Sequence, residues 1–232
     1  MFDWKDTRYG FGYDSVGRDY KIVKISLFQC KPDFDEPDKA CFQVYSLTRK
    51  SWTVQKIAPS SVLRCEDHSV VLNNRLHWLS SFNNNCKIIV TFDLHNEDFG
   101  EMAFPTTFPE ASWFELLECS GCLYMTVNFY SGDVFIWAMK EYGVVESWTK
   151  KFQMNTIEIF GGPSRVVTYR SSREEVAEVL FLTLAGYELV WYNIQCQNFK
   201  KVFLPENITY NYDPYNQWEC IATFASIDSL LD

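Results

Sequence analysis

Tyr45-Ser46-Leu47-Thr48-Arg49-Lys50-Ser51-Trp52 decides the fold, because the same arrangement returns as Phe92-Asp93-Leu94-His95-Asn96-Glu97-Asp98-Phe99 and again as Tyr192-Asn193-Ile194-Gln195-Cys196-Gln197-Asn198-Phe199. Each copy reads aromatic, any residue, aliphatic, four polar residues, aromatic. A stretched copy runs from Trp137 through Met139-Lys140-Glu141-Tyr142-Gly143 to Glu146-Ser147-Trp148, four residues longer, and reads as the same hairpin with a longer loop. The closing aromatics Trp52, Phe99, Trp148 and Phe199 fall 47, 49 and 51 residues apart. A period near 50 residues with strand patterning and no helical pattern indicates a radially repeated all-β architecture. An ordinary β-sandwich carries no such fixed period.

The physics is that of a two-strand hairpin. Residues two apart share one face of a strand, the polar tetrapeptide turns the chain, and the closing aromatic returns across the same face. The strands that feed these turns, such as Ile88-Ile89-Val90 and Val134-Phe135-Ile136-Trp137, are apolar on both sides. A sheet covered on both faces has that composition. Four strands are expected per unit. Unit one reads Gly10 to Asp14, Asp19 to Ile25, Phe42 to Leu47 and Trp52 to Ile57, and unit two Ser69 to Leu72, Leu76 to Leu79, Ile88 to Leu94 and Phe99 to Phe104. Unit three reads Trp113 to Glu118, Leu123 to Val127, Val134 to Met139 and Trp148 to Met154, and unit four Arg165 to Tyr169, Val176 to Leu184, Glu188 to Ile194 and Phe199 to Leu204. The expected fold is therefore all-β and propeller-like, kelch-like in its blade count, with about four four-stranded blades. A C-terminal partial blade at Trp218 to Phe224 makes an incomplete toroid, and residues 1–232 form a single domain.

Composition narrows the function classes. The net charge of −9 argues against nucleic acid, whose binding requires clustered Lys and Arg, and favours a basic protein partner. No run of 18 apolar residues exists, so no membrane span is expected. Met1-Phe2-Asp3-Trp4-Lys5-Asp6 carries charges where a signal peptide needs its apolar stretch, which places the chain in the cytosol or nucleus. The eight cysteines then read as reduced thiols. Cys119-Ser120-Gly121-Cys122 lacks the second pair that a structural zinc site needs and reads as a hairpin turn.

Three stretches together resemble the F-box-associated domain of plant F-box proteins, including the S-locus type. The first is Gly10-Phe11-Gly12-Tyr13-Asp14 with Asp19-Tyr20-Lys21-Ile22-Val23. The second is Val44-Tyr45-Ser46-Leu47 with Ser51-Trp52, and Asn74-Arg75-Leu76-His77-Trp78-Leu79 leading to Phe92-Asp93-Leu94. The third and most specific is Trp137-Ala138-Met139-Lys140-Glu141-Tyr142-Gly143-Val144 with Glu146-Ser147-Trp148-Thr149-Lys150, and the likeness continues to Ser226-Ile227-Asp228-Ser229-Leu230. The resemblance implies a kelch-like propeller that recruits a target protein. In that family an F-box of about fifty residues, ahead of the propeller, docks on a Skp adaptor in a cullin-RING ubiquitin ligase. No stretch before Gly10 is long enough for an F-box, so adaptor and cullin are expected as partners only through a segment absent here. The Gly-Gly dipeptides of kelch repeats are also missing apart from Gly161-Gly162.

No catalytic constellation or cofactor motif emerges, and the expectation is a binding module rather than an enzyme. His68, His77 and His95 lie in different segments, with His77 inside a strand and His95 in a turn. Gly10-x-Gly12 precedes no helix and is no nucleotide loop. What remains is a rim of loops joining second and third strands. These supply Asp33, Phe34, Asp35 and Glu36 in unit one, Phe82, Asn83, Asn84 and Asn85 in unit two, and Phe129 and Tyr130 in unit three. Aromatics among acidic and amide groups suit a protein interface. The expected function is substrate recognition for a ubiquitin ligase, with a free binding or decoy module as the alternative and a metal-dependent enzyme on the same scaffold as a third reading.

Overall fold

The aromatic pairs of the repeat meet across neighbouring strands at one register: Tyr45 faces Trp52, Phe92 faces Phe99 and Tyr192 faces Phe199. The computed structural model describes residues 2–30, 38–66, 68–82, 86–105, 113–162, 164–172, 175–183 and 188–202. These residues build four sheets. The first holds β1 (Phe2–Asp14), β2 (Asp19–Cys30), β3 (Lys39–Ser46) and an outer strand in two pieces, β4 (Ser51–Trp52) and β5 (Lys56–Ile57). The second holds β6 (Val70–Leu72), β7 (Arg75–Phe82), β8 (Cys86–Asp93) and β9 (Asp98–Ala103). The third holds β10 (Trp113–Cys119), β11 (Cys122–Asn128), β12 (Asp133–Met139) and β13 (Trp148–Asn155), and the fourth β14 (Ser164–Ser172), β15 (Glu175–Thr183), β16 (Glu188–Asn193) and β17 (Asn198–Val202).

Each sheet is a meander with its strands adjacent in chain order, which is the all-β, four-blade architecture that the repeat predicts. The expected partial blade at Trp218 to Phe224 lies outside the described residues. Two compact units are present, residues 1–129 with 135–153, and residues 130–134 with 154 onward.

Local differences from the sequence reading have physical causes. The aliphatic residue of the motif is not the last of its strand but the first of the turn, as Leu47 and Leu94 show. The preceding position is a hydrogen-bond acceptor, not any residue. Asp93 Oδ1 accepts from the N–H groups of His95 (2.8 Å) and Asn96 (2.9 Å), and Asn193 Oδ1 does the same for Gln195 (3.1 Å) and Cys196 (2.9 Å). Ser46 Oγ accepts from Arg49 N at 2.9 Å. Side-chain acceptors of this kind satisfy turn N–H groups that a strand partner cannot reach. The outer strand of the first sheet is split because Thr53 leaves the ladder: its Oγ1 accepts from Val44 N at 2.9 Å, while its own N–H donates to Val44 O at 2.8 Å. One helical turn, α1 (Thr156–Phe160), was invisible to period counting. Asn155 caps it by accepting from Ile157 N and Glu158 N, and Gly161 ends it at φ 74°.

Inside the first unit the second sheet is buried on both faces. Leu76, Trp78, Val90 and Phe92 join Val23, Ile25, Phe42 and Val44 of the first sheet in one core. On the other side Leu72, Leu79 and Ile89 meet Phe114, Leu116, Met125 and Val127 of the third. Gly10 and Gly12 set the closeness of the first contact. A Cβ on Gly10 would lie 2.7 Å from Leu76 Cδ1 and 2.8 Å from Trp78 Cζ2, and one on Gly12 would lie 2.7 Å from Leu94 Cδ1. The Gly-Phe-Gly motif therefore serves packing. Gly10→Ala is expected to destabilise the chain by about 1–3 kcal/mol through overpacking, read as a lower urea midpoint with an unchanged m-value.

Candidate interaction surface

The turns and loops lie at the strand ends, where hairpin geometry leaves side chains to be held by polar contacts. Between the first two sheets, the Lys21 ammonium is buried and donates to Leu94 O (2.5 Å) and Glu97 Oε1 (3.0 Å), with Asp14 Oδ2 at 3.3 Å. His95 Nδ1 lies 3.4 Å from the same Asp14 oxygen, and Arg49 reaches Glu97 at 3.6 Å. Burial alone would raise the Asp14 pKa. The N–H of Gly17, the Lys21 ammonium and His95 outweigh it and hold the carboxyl below the ordinary aspartate range. Asp19 is likewise lowered, chiefly by the Ser46 hydroxyl, with the Thr48 N–H at 2.9 Å adding to it. This cluster braces the turns as a unit.

The long third hairpin, the stretch most specific to the resemblance, is braced in the same way. His77, fully buried in β7, has Nδ1 3.2 Å from Val70 O and Nε2 2.7 Å from Tyr142 Oη. A carbonyl can only accept, so Nδ1 carries the proton and Nε2 accepts from the Tyr142 hydroxyl. Ser147 Oγ accepts from Glu141 N at 3.1 Å and sits within hydrogen-bond distance of Glu141 O and Val144 O. His77 is thus a structural acceptor, in line with its expected place in a strand.

Of the expected interface residues, Asp33, Phe34, Asp35, Glu36, Asn83, Asn84 and Asn85 lie outside the described residues. Phe82 ends β7, where it pairs with Cys86 of β8. Phe129 and Tyr130 separate in role. Phe129 is half-buried with its ring 5.0 Å from Phe135, so it packs rather than presents. Tyr130 is 87% exposed. Its turn is held by α1: Thr156 N donates to Gly132 O (2.8 Å), and Asn155 Nδ2 donates to Ser131 O and Asp133 Oδ1, each at 3.2 Å. Gly132 sits at φ 85°, where a Cβ would come within 2.5 Å of Ile157 Cγ1. Tyr130 is therefore an exposed ring on a fixed turn.

A second surface escaped the sequence reading. On the face of the first sheet opposite Gly10 and Gly12, Tyr9 (54%), Phe11 (55%), Tyr13, Tyr20 and Trp52 (45%) are exposed. Phe11 and Tyr20 stack at 5.7 Å, Tyr13 and Tyr20 lie 4.8 Å apart, and Tyr45 and Trp52 lie 5.2 Å apart. The alternation of Tyr9, Phe11 and Tyr13 with Gly10 and Gly12 was the available signal. It places the aromatics on one face and the packing glycines on the other.

The free cysteines include the turn pair Cys119 and Cys122, which are cross-strand neighbours around Ser120 (φ 52°) and Gly121 (φ 75°), the hairpin turn that the sequence predicts. Burial pushes the Cys65 thiol up to about 12, which keeps it protonated and inert.

Two measurements test the His77 assignment. Tyr142→Phe removes the hydroxyl that donates to the buried His77 Nε2 and is expected to cost about 1–3 kcal/mol in chemical denaturation. Burial lowers the His77 pKa to about 4, below the roughly 6.5 of an unfolded histidine. Between these values the unfolded chain binds a proton that the folded chain refuses, so stability falls on acidification, by up to about 1.4 kcal/mol per pH unit. Urea midpoints at pH 6.5 and pH 5 are expected to show this slope in the parent and a shallower one in His77→Gln.

A family model described as the F-box associated beta propeller domain matches residues 2–211. The chain is similar to the F-box protein CPR1 of Arabidopsis thaliana, 30% identical over 214 residues that cover 81% of this chain and 49% of the relative. It is also similar to an F-box/kelch-repeat protein of Arabidopsis thaliana, 28% identical over 158 residues, covering 67% of this chain and 42% of the relative. Among solved structures, the beta-propeller domain of the Trilobed protease from Pyrococcus furiosus aligns with a TM-score of 0.44 at 8% identity, over 88% of this chain and 57% of that one. The chain spans half or less of the length of these curated relatives. Four four-stranded sheets, with one aromatic hairpin recurring through them and that family model matching from residue 2 to residue 211, make this chain a member of the F-box associated β-propeller domain family.

Proposed function

We propose that this chain is the substrate-recognition module of a plant Skp-cullin-F-box ubiquitin ligase, holding a target protein for ubiquitylation. The observation that carries the reading is an exposed aromatic on a fixed frame: Tyr130 stands 87% exposed on a turn pinned by α1. Rigid aromatic anchors bring large contact area at small entropic cost, and such residues dominate binding energy at protein interfaces. The membership in the F-box associated family supports the same reading, since its matched relatives are F-box proteins. The cytoplasm and nucleus are the compartments in which such a module would work.

Adaptor and cullin enter this proposal only through an F-box carried outside these residues. The net charge of −9 would steer a basic region of the target towards acidic loops and speed encounter. Affinity purification of the full-length gene product is expected to recover a Skp adaptor and, with the proteasome inhibited, a ubiquitylated target. Tyr130→Ala is expected to lower target recovery by tenfold or more while adaptor recovery stays unchanged. A full-length product that recovers no adaptor, and whose overexpression raises the level of the proteins it binds, would instead establish a decoy module.

A further inference from the structure

The two turns at one end of the first sheet, residues 15–18 and 47–50, carry Arg18, Arg49 and Lys50, all exposed, and no acid. They lie side by side, since Leu47 N donates to Tyr20 O (3.0 Å) and Thr48 N to Asp19 Oδ1 (2.9 Å). The acids that flank them turn inward. Asp14 and Asp19 are buried, and Asp14 faces the Lys21 ammonium at 3.3 Å. Glu97, from the turn after β8, is held between Lys21 (3.0 Å) and Arg49 (3.6 Å), so it answers only one of the exposed cations. Arg18 and Lys50 make no ion pair among the described residues. This end of the first sheet is therefore locally positive in a chain of net charge −9. Turn chemistry does not call for these cations. Arg18 and Lys50 close their turns at φ 52°, where the second and fourth sheets place Glu97 (φ 57°) and Gln197 (φ 52°). A left-handed backbone favours glycine or asparagine, so a long cation at both positions is a feature that the fold does not require.

We propose that these two turns bind an acidic segment of a partner protein. Its carboxylates pair with Arg18, Arg49 and Lys50, and an apolar residue among them covers Val16 (66% exposed) and Leu47 (40%) of the same turns. The backbone selects a segment over a single phosphate. The N–H groups of Val16, Gly17, Thr48 and Arg49 all donate inward, to Asp14, Asp19 and Ser46, so these four leave no N–H cradle for an isolated anion. What remains is a set of separate side-chain cations, which suits several carboxylates along an extended chain. Nucleic acid fits poorly, because three exposed cations on a chain of net charge −9 fall short of the phosphate neutralisation such binding requires. Two copies of the chain would repel one another through the same net charge. The inference goes beyond the recognition reading, in which acidic loops attract a basic target, and assigns a partner of opposite sign to a different part of the chain.

The test uses the full chain and a fluorescein-labelled peptide of about twelve residues, Asp and Glu around one central leucine, read by anisotropy. Arg18→Gly with Lys50→Gly removes both unpaired cations and puts at φ 52° the residue that tolerates it best, and circular dichroism and a urea midpoint verify that this double variant folds. Saturable binding is expected in the parent, about tenfold weaker in the double variant, the combined effect of two exposed ion pairs. Exchange of the two cations, Arg18→Lys with Lys50→Arg, is expected to keep the affinity, as is Tyr130→Ala. A peptide with Asn and Gln in place of the acids is expected to bind more weakly and to lose its salt dependence. Equal binding of the acidic and neutral peptides, or unchanged binding by the folded double variant, would overturn the proposal. So would a single-stranded oligonucleotide of the same length that binds more tightly through Arg18 and Lys50, or sedimentation showing a dimer that the double variant converts to monomer. Failure to recover an adaptor would sink the ligase reading and leave this peptide affinity standing, so the two failures are distinguishable.

Discussion

A sheet that is apolar on both faces has to be covered on both faces, and most of the described structure follows from that constraint. The second sheet satisfies it twice over, with Trp78 and Phe92 against the first sheet and Leu79 and Ile89 against the third. Close cover demands short side chains on one partner, which is why Gly10 and Gly12 face Leu76, Trp78 and Leu94. It also takes polar groups out of water at the seam, and those groups must then be paired. Lys21 shows how this is met: Leu94 O and the Glu97 carboxylate come from the turn after β8, and the Asp14 carboxylate from the end of β1. Polar satisfaction and apolar cover are thus one requirement seen at the end and at the middle of the same strands.

Much of the fold was legible because it rests on period and turn chemistry, both local in sequence. The pairs Tyr45 with Trp52, Phe92 with Phe99 and Tyr192 with Phe199 could be read at sight, since a four-residue turn fixes the register of its two strands. The acceptor at Ser46, Asp93 or Asn193 was overlooked because three different residue types perform one task there, and only the geometry of the N–H groups unites them. The break at Thr53 and the helical turn at Thr156–Phe160 were hidden for another reason. Each depends on a single side chain, Thr53 or Asn155, that takes a backbone hydrogen bond a regular strand would have used.

The surface was less legible than the fold. Tyr130 and Phe129 are adjacent aromatics, and nothing in their sequence separates an exposed ring from one that stacks on Phe135. Their roles diverge because α1, more than twenty residues later, fixes the turn between them and β12. The aromatic face of the first sheet had a sequence signal, the alternation with Gly10 and Gly12. Reading it required knowing which face a neighbour would occupy, and that is a tertiary fact.

The bridges across the sheets of the first unit also bear on how it comes apart. Repeat architectures commonly unfold in steps, because each module touches only its neighbours through apolar contacts that can be lost one at a time. Here Tyr142 completes the hydrogen bonding of His77 in the sheet before it, and Glu97 completes that of Lys21 in the sheet before its own. Opening either sheet alone strands a buried polar group in the next. Opening one sheet alone therefore costs about 1–3 kcal/mol for each polar group it strands, beyond the apolar contacts it loses, which couples the neighbouring sheets of the first unit despite its modular sequence.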